Sequence, residues 1–379
     1  MSQDRRSFLK STALAGTAGL IATSVVQPSA RAAMGHGSDT ISMRTDGNYD
    51  AVPLSKSTIS LGVVQSRVRG VRVDNWKKDR QANLEHMLEQ IDNAFHFGAG
   101  ADILFFHEFP ITGWNAWTRE EILKFAIEIP GEETEAVASK AKEYGCYIVF
   151  GSYARDADWP NHVLSITTIV GPDGAIVDKH WKARNIKGIF PGVELFTTTI
   201  YDVLDEYIER YGADAVLPIT HTPYGNIATS SIQLEPELFR AFAMKGGEIF
   251  LRTASGGFTP WDIQATARYN RVYVAICNNA VSPNNPGFYD DAGSGGSAIY
   301  DPSGKIMAEA GTKFETLVTA RIPIAEFRKR NRQPIVHMAL YRDVFNMYQN
   351  AYAPNLFSEY QPTDLKDAKA YLAGKSRWK

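Results

Sequence analysis

Cysteine is nearly absent from this chain: two in 379 residues. Cys146 and Cys277 both fall in apolar, strand-like runs. One disulfide could form in an oxidising compartment, but two buried thiols fit those surroundings better, and no disulfide framework is indicated. The eight histidines are scattered. Neither they nor the cysteines cluster at metal-ligand spacing, so the sequence implies no metal and no cofactor. A surplus of positive charge is missing too, with 40 Lys and Arg against 42 Asp and Glu. That balance argues against nucleic acid or an anionic membrane surface as a partner. Beyond the amino terminus no apolar run is long enough to span a bilayer.

What is present begins at the amino terminus. Asp4-Arg5-Arg6-Ser7-Phe8-Leu9-Lys10 reads as a twin-arginine export signal, followed by small apolar residues from about Ala13 to Val26 and then Ala30-Arg31-Ala32. The last three form an A-x-A cleavage pattern. An uncleaved anchor is the competing reading, but the run is short and rich in Ser, Thr and Gly for a bilayer span. Cleavage after Ala32 removes four Lys or Arg and one Asp, taking the formal net charge from −2 to −5. The expected location is the periplasm or outside the cell, with no membrane attachment after cleavage.

Residues 33–56 are polar, Gly/Ser-rich and aperiodic, which predicts a flexible lead-in. Strand and helix signals alternate from there. Ile59–Val64 reads as a strand and Arg80–Phe97 as a helix with Leu84, Met87, Leu88, Ile91, Ala94 and Phe95 on one face. Asp102–Phe106 is a continuous apolar run, the mark of a strand buried on both sides. Helix Glu133–Tyr144 and strands at Tyr147–Phe150 and Val163–Val170 follow, and the turn Gly171-Pro172-Asp173-Gly174 leads into Ala175–Lys179. The second half repeats the scheme: a strand near Ile227, helix Pro236–Lys245, strand Ile249–Thr253, helix Ile263–Asn270 and strand Val272–Cys277. Ser297–Tyr300 and Lys305–Ala308 form a closing hairpin, and Tyr201–Tyr211 reads as an extra helix. Two similar α/β halves imply two mixed sheets packed face to face with helices outside. The main domain is expected over 57–345, with a carboxyl-terminal extension over 346–379.

Candidate chemistry gathers at strand ends. Glu108 closes the buried run Leu104-Phe105-Phe106-His107-Glu108, and Ile111-Thr112-Gly113-Trp114 makes the turn beyond it. A carboxylate there is partly desolvated, which raises its pKa toward a value useful to a general base. The hairpin strand Asp173–Lys182 ends in a lysine after an aromatic, and Ile186-Lys187-Gly188-Ile189-Phe190-Pro191-Gly192 follows. Pro236-Glu237-Leu238-Phe239-Arg240 with Ala243–Ile249, then Trp261, Arg268-Tyr269-Asn270, Asn278-Asn279 and Gly295-Gly296-Ser297, complete a long ordered set. Together these segments resemble the nitrilase, or carbon–nitrogen hydrolase, superfamily over roughly residues 57–345, nearest its aliphatic-amidase branch.

The resemblance implies an αββα sandwich, homo-oligomers in which sheet edges and tail meet a partner, and a site of Glu, Lys and Cys. Carried over residue by residue, Glu108 takes the base position and Lys182 the oxyanion position, with Lys179 as the alternative lysine. The cysteine should stand six residues before Pro236, where Ser230 is found; counting from Gly225 instead gives Ile232, and sharing the shortening gives Ser231. No count gives a cysteine. The second glutamate of the amidase branch falls at Lys187, a reversal of charge, and the aspartate after the nucleophile is missing. Trp114 and Lys187 are the expected substrate contacts. A serine can carry an acyl group only if a base takes its proton. Glu108 paired to an ammonium is a weak base for an alcohol, and no histidine relay is evident; His221 reads as a surface-loop residue. The expectation is hydrolysis of a non-peptide C–N bond in a small carboxamide- or nitrile-like substrate, with Ser in place of Cys. The alternative is an inactive relative that binds a small ligand or a partner enzyme.

Overall fold

The computed structural model describes residues 40–67, 69–188, 193–285 and 290–378. The export signal and the first part of the lead-in lie outside the described residues. Twelve strands follow in order. The first six are β1 (Ile59–Gln65), β2 (Ile103–Phe106), β3 (Tyr147–Ala154), β4 (Leu164–Val170), β5 (Ile176–Trp181) and β6 (Thr220–Thr222). The others are β7 (Gly225–Ser230), β8 (Ile249–Thr253), β9 (Tyr273–Cys277), β10 (Ala298–Tyr300), β11 (Ile306–Glu309) and β12 (Thr316–Ile322). They make two mixed six-stranded sheets, ordered β12-β1-β2-β3-β4-β5 and β11-β10-β9-β8-β7-β6. In each sheet three strands run parallel, β1-β2-β3 and β7-β8-β9.

Alternation along the strands builds the layers, because successive side chains leave opposite faces. Leu61, Val63, Ile103, Phe105, Val149 and Ile169 of the first sheet share one apolar core with Ile227, Leu251, Val274 and Ile276 of the second. The intervening residues Leu104, Phe106, Ile148 and Phe150 face Leu84, Met87 and Ile91 of helix Trp76–His96 and Val137 and Ala141 of helix Glu132–Tyr144. Phe239 and Phe242 of helix Pro236–Met244 pack on Phe250 of β8. The result is an αββα sandwich.

The first helix starts at Trp76, four residues before the expected start at Arg80. Arg80 lies over the Trp76 ring at 4.9 Å, so an aromatic–cation contact extends the helix through a polar stretch. The expected helix at Tyr201–Tyr211 is a 3₁₀ turn, Ile200–Val203, running into helix Leu204–Tyr211. In the lead-in, Tyr49 donates to Glu248 at 2.9 Å and Asn226 donates to the Asp50 carbonyl at 2.8 Å.

The carboxyl-terminal segment packs onto the first half. Ala368 and Leu372 of helix Leu365–Ala373 join Phe109, Trp117, Phe125, Tyr153 and Phe196 in a third apolar cluster. Buried Arg119 ties this region together, donating to the carbonyls of Pro362 at 2.7 Å, Asn161 at 3.0 Å and Phe196 at 2.6 Å. Phe357 is fully buried. Truncating it to alanine should cost about 3–5 kcal/mol, the usual range for a buried phenylalanine. Urea unfolding should show that loss, and limited proteolysis should cut the tail of Phe357→Ala first. Unchanged stability would mean the tail is not part of the folded unit.

Candidate active site

Four strand ends converge on one cavity of about 250 Å³, its open mouth included. Glu108 follows β2, Lys182 follows β5, Ser230 ends β7 with Ser231 next, and Thr253 ends β8. Each lines the cavity, together with Gly151, Ser165, Thr167, His180 and Thr229. The chain after β2 lies against β3 so closely that a Cβ at Gly151 would stand 2.3 Å from the Glu108 carbonyl oxygen. Glycine there lets the backbone carry Glu108 into the cavity.

Lys182 Nζ donates to Glu108 Oε1 at 3.0 Å and to Glu194 Oε2 at 2.7 Å. Glu194 also accepts from the hydroxyl of Tyr153, a residue of β3. The Lys182, Glu108 and Glu194 side chains retain only 7%, 11% and 13% of their exposure, so these charges interact with little water between them. Burial raises the Glu108 pKa; the Lys182 charge opposes that rise and the Glu194 charge adds to it. Burial alone would lower the pKa of Lys182, but the two carboxylates outweigh it and hold the ammonium charged. Burial, and then Glu194, keep Tyr153 a neutral phenol.

The two serines differ. The Ser231 hydroxyl favours the ionised form of Glu108, the smallest of the influences on that carboxyl, whereas Ser230 Oγ accepts the Ile232 backbone N–H at 3.1 Å. Of the two, Ser231 is the hydroxyl that acts on Glu108. Beyond it the elbow is clamped by two arginines. Buried Arg252 donates to the Ile232 carbonyl at 2.5 Å and to Asp262 at 2.7 Å, while Arg184 donates to the Gln233 carbonyl at 2.8 Å. Leu234 sits in the left-handed region at φ 58°, a conformation this non-glycine residue keeps only where such contacts enforce it.

The structure places the other expected residues elsewhere. Lys187 is paired with Asp202 and stacked 4.5 Å from the Phe357 ring, with its side chain 6% exposed. A buried ammonium needs a carboxylate partner, and Asp202 takes the charge that was expected to meet substrate. Trp114 packs on the third apolar cluster and is not among the residues lining the cavity. Lys179 reaches Asp156 at 3.7 Å and the Ile129 carbonyl, on another face from Lys182. The second carboxylate of the site comes from Glu194, after the Pro191-Gly192 pair rather than before it. Sequence counting missed it because it looked upstream of that pair; an acidic residue two places past Gly192 was the available signal. Cys146 and Cys277 are buried and outside the cavity. Burial pushes the Cys146 thiol up to about 12 and the Cys277 thiol well above its ordinary value, so neither is a thiolate nucleophile.

The family model for carbon-nitrogen hydrolases matches residues 61–332. The chain belongs to this carbon–nitrogen hydrolase family. It is 26% identical over 237 residues to omega-amidase NIT2-A of Xenopus laevis, covering 59% of this chain and 78% of that one. It is also 26% identical over 221 residues to formamidase of Helicobacter acinonychis, covering 55% and 60%. Among solved structures it resembles Saccharomyces cerevisiae Nit3, with a TM-score of 0.55 and 19% identity over 78% of this chain and 98% of that one. An amidase from Nesterenkonia sp. AN1 aligns at a TM-score of 0.54 and 16% identity, covering 77% and 99%. These structural likenesses fix the fold of this carbon–nitrogen hydrolase as that of the nitrilase superfamily.

Glu194→Gln removes the negative charge that helps raise Glu108, so the pKa of Glu108 should fall toward the ordinary 4.5. Carboxyl-carbon NMR titration of Glu108 in the two proteins measures this directly. A shift in the opposite direction, or none, would show that Glu194 does not act on the base.

Proposed function

We propose that this amidase-like hydrolase is exported by the twin-arginine route to the periplasm or cell exterior, where it hydrolyses a small carboxamide through Ser231. The observation that carries the reading is the convergence of Ser231, Glu108 and Lys182 in one cavity. Ser231 Oγ attacks the carbonyl carbon while its proton passes to Glu108. The Lys182 ammonium balances the charge that develops on the carbonyl oxygen. Glu108 returns the proton to the leaving amine as the C–N bond breaks, then takes a proton from water, whose oxygen attacks the acyl carbon and frees Ser231. Substrate and products are small molecules, and self-association is part of the proposal through the family resemblance.

One observation favours a second reading, an inactive relative that binds a small ligand. Lys182 is shared by two carboxylates, and its charge opposes the rise in Glu108 that a base for an alcohol needs.

Variants decide between the two. Under the enzyme reading Ser231→Ala should lower amide turnover by at least about 10³-fold with little change in thermal midpoint, as loss of a nucleophile does. Ser231→Cys should retain or raise activity, because a thiolate forms more readily than an alkoxide. Ser230→Ala should cost far less, since that hydroxyl caps a backbone N–H. Turnover that survives both serine-to-alanine changes singly and together sinks the nucleophile assignment, and a parent inactive on amides, nitriles and esters leaves the ligand-binding reading. Export has its own test. Changing Arg5 and Arg6 to lysine should hold the precursor in the cytoplasm; mature protein still reaching the periplasm would show that another route reads the signal.

A further inference from the structure

The cavity contains a second polar chain that the amide mechanism leaves unused. His180 stands two residues before Lys182 on β5, and Thr229 two residues before Ser231 on β7. A spacing of two returns a strand to the same face. Beneath the Lys182, Glu108 and Ser231 contacts there is therefore a second rung, in which His180 Nδ1 meets Thr229 Oγ1 at 2.9 Å. His180 Nε2 meets Thr220 Oγ1 at 2.8 Å and Asp178 Oδ2 at 3.2 Å, and the Thr220 hydroxyl donates to Asp178 at 2.8 Å. His180 and Thr229 are both buried and both line the cavity, whereas the Asp178 side chain is 34% exposed.

The direction of these bonds follows from the acceptor at their end. An ionised carboxylate only accepts. Burial works against the charge on Asp178, but His180 and the donors around it hold the pKa at about 2. Thr220 gives its one proton to Asp178, so its oxygen is left to accept, and both neighbours of Nε2 are then acceptors. Nε2 must carry a ring proton, and in the tautomer that has only that proton Nδ1 presents its lone pair to Thr229. The Thr229 hydroxyl proton accordingly points at a base that a carboxylate orients from the other side. That is the order of groups in an activated hydroxyl: alcohol, imidazole, carboxylate. Ser231 has a different base, a glutamate already paired to an ammonium.

We propose that Thr229, His180 and Asp178 form a second acyl-accepting site in this cavity, one that takes short acyl groups from activated esters. Thr229 Oγ attacks the ester carbonyl carbon and its proton moves to His180 Nδ1. The C–O bond to the aryloxide breaks, and the aryloxide leaves with the electron pair. The imidazolium then releases its proton to solvent through the cavity mouth. In the return half, His180 Nδ1 takes a proton from water, the hydroxide oxygen attacks the acyl carbon, and Thr229 leaves with its electron pair and recovers that proton. Asp178 keeps the ring in the tautomer that both halves need.

The test is acetylation of the whole folded protein by p-nitrophenyl acetate, read as a burst of p-nitrophenolate and by fragment-ion mapping of the acetyl group. The expected result is acetyl on Thr229. The burst should slow by about 10²-fold or more in Thr229→Val and His180→Asn and stay within a few-fold in Thr229→Ser, which keeps the hydroxyl. Thermal midpoints of each variant show whether the fold is intact. If His180→Asn does not fold, Asp178→Asn, at the exposed end of the relay, should slow the burst in its place. A link between the sheets without reactivity would give the same distances but no adduct. Acetyl found only on Ser231 or on lysines, or no adduct with the parent folded, overturns the proposal. Amide turnover in Ser231→Ala is a separate measurement, so either assignment can fail while the other stands.

Discussion

Lys182 lies between two carboxylates in a region almost emptied of water, and the site is organised around that arrangement. Taking each charged group out of water costs several kcal/mol, which attraction offsets only when geometry and remaining hydrogen bonds are good. One ammonium cannot neutralise two carboxylates, so a negative excess remains. Glu194 spends its second oxygen on the Tyr153 hydroxyl, whereas Glu108 faces Lys182 and the Ser231 hydroxyl. Burial raises the pKa of Glu108, the Lys182 charge opposes that rise and the Glu194 charge adds to it, at the carboxylate beside the candidate nucleophile. Charge excess and hydroxyl meet at one carboxylate.

Holding three such groups in place demands a stiff surround, and the fold supplies it from several directions. Glu108 rides on a strand buried on both faces, and Gly151 lets the neighbouring strand close against the turn that follows. Tyr153 lies stacked on Phe109 with ring centroids 4.1 Å apart, so the residue that fixes Glu194 is itself fixed by the turn carrying Glu108. Behind them the tail packs on the same cluster, with Arg119 binding three carbonyls and Lys187 neutralised by Asp202. Across the cavity the elbow owes its shape to Arg252, Asp262 and Arg184. Asp262, a carboxylate from the helix Pro260–Asn270, accepts from Arg252 and from the Leu234 backbone N–H at 3.3 Å.

Sequence reading located the parts that local pattern determines. A continuous apolar run ending in a carboxylate placed Glu108 at a strand end, and a hairpin with a strong turn placed Lys182. Both follow from strand periodicity, which is a local property. Glu194, Tyr153 and Thr229 were not visible because what joins them is contact between segments distant in the chain. Lys187 was misread for the same reason: its partner Asp202 lies fifteen residues on, past a turn whose path no spacing reveals. The choice between Ser230 and Ser231 could not be made by counting, since a shortened elbow allows either register. It rests on which hydroxyl caps a backbone N–H and which meets a carboxylate.

Loss of the cysteine changes what the base must do. A thiol has an ordinary pKa near 8.5, so a modest base suffices to form its thiolate. A hydroxyl is far less acidic and gives up its proton only as attack proceeds, so the acceptor must have high proton affinity at that moment. Pairing with Lys182 lowers the proton affinity of Glu108; the charge of Glu194 raises it. The second carboxylate thus favours the proton on Glu108 that serine chemistry would require it to accept. The net charge of the cluster, not the position of Glu108 alone, is therefore the property on which the proposed serine chemistry depends.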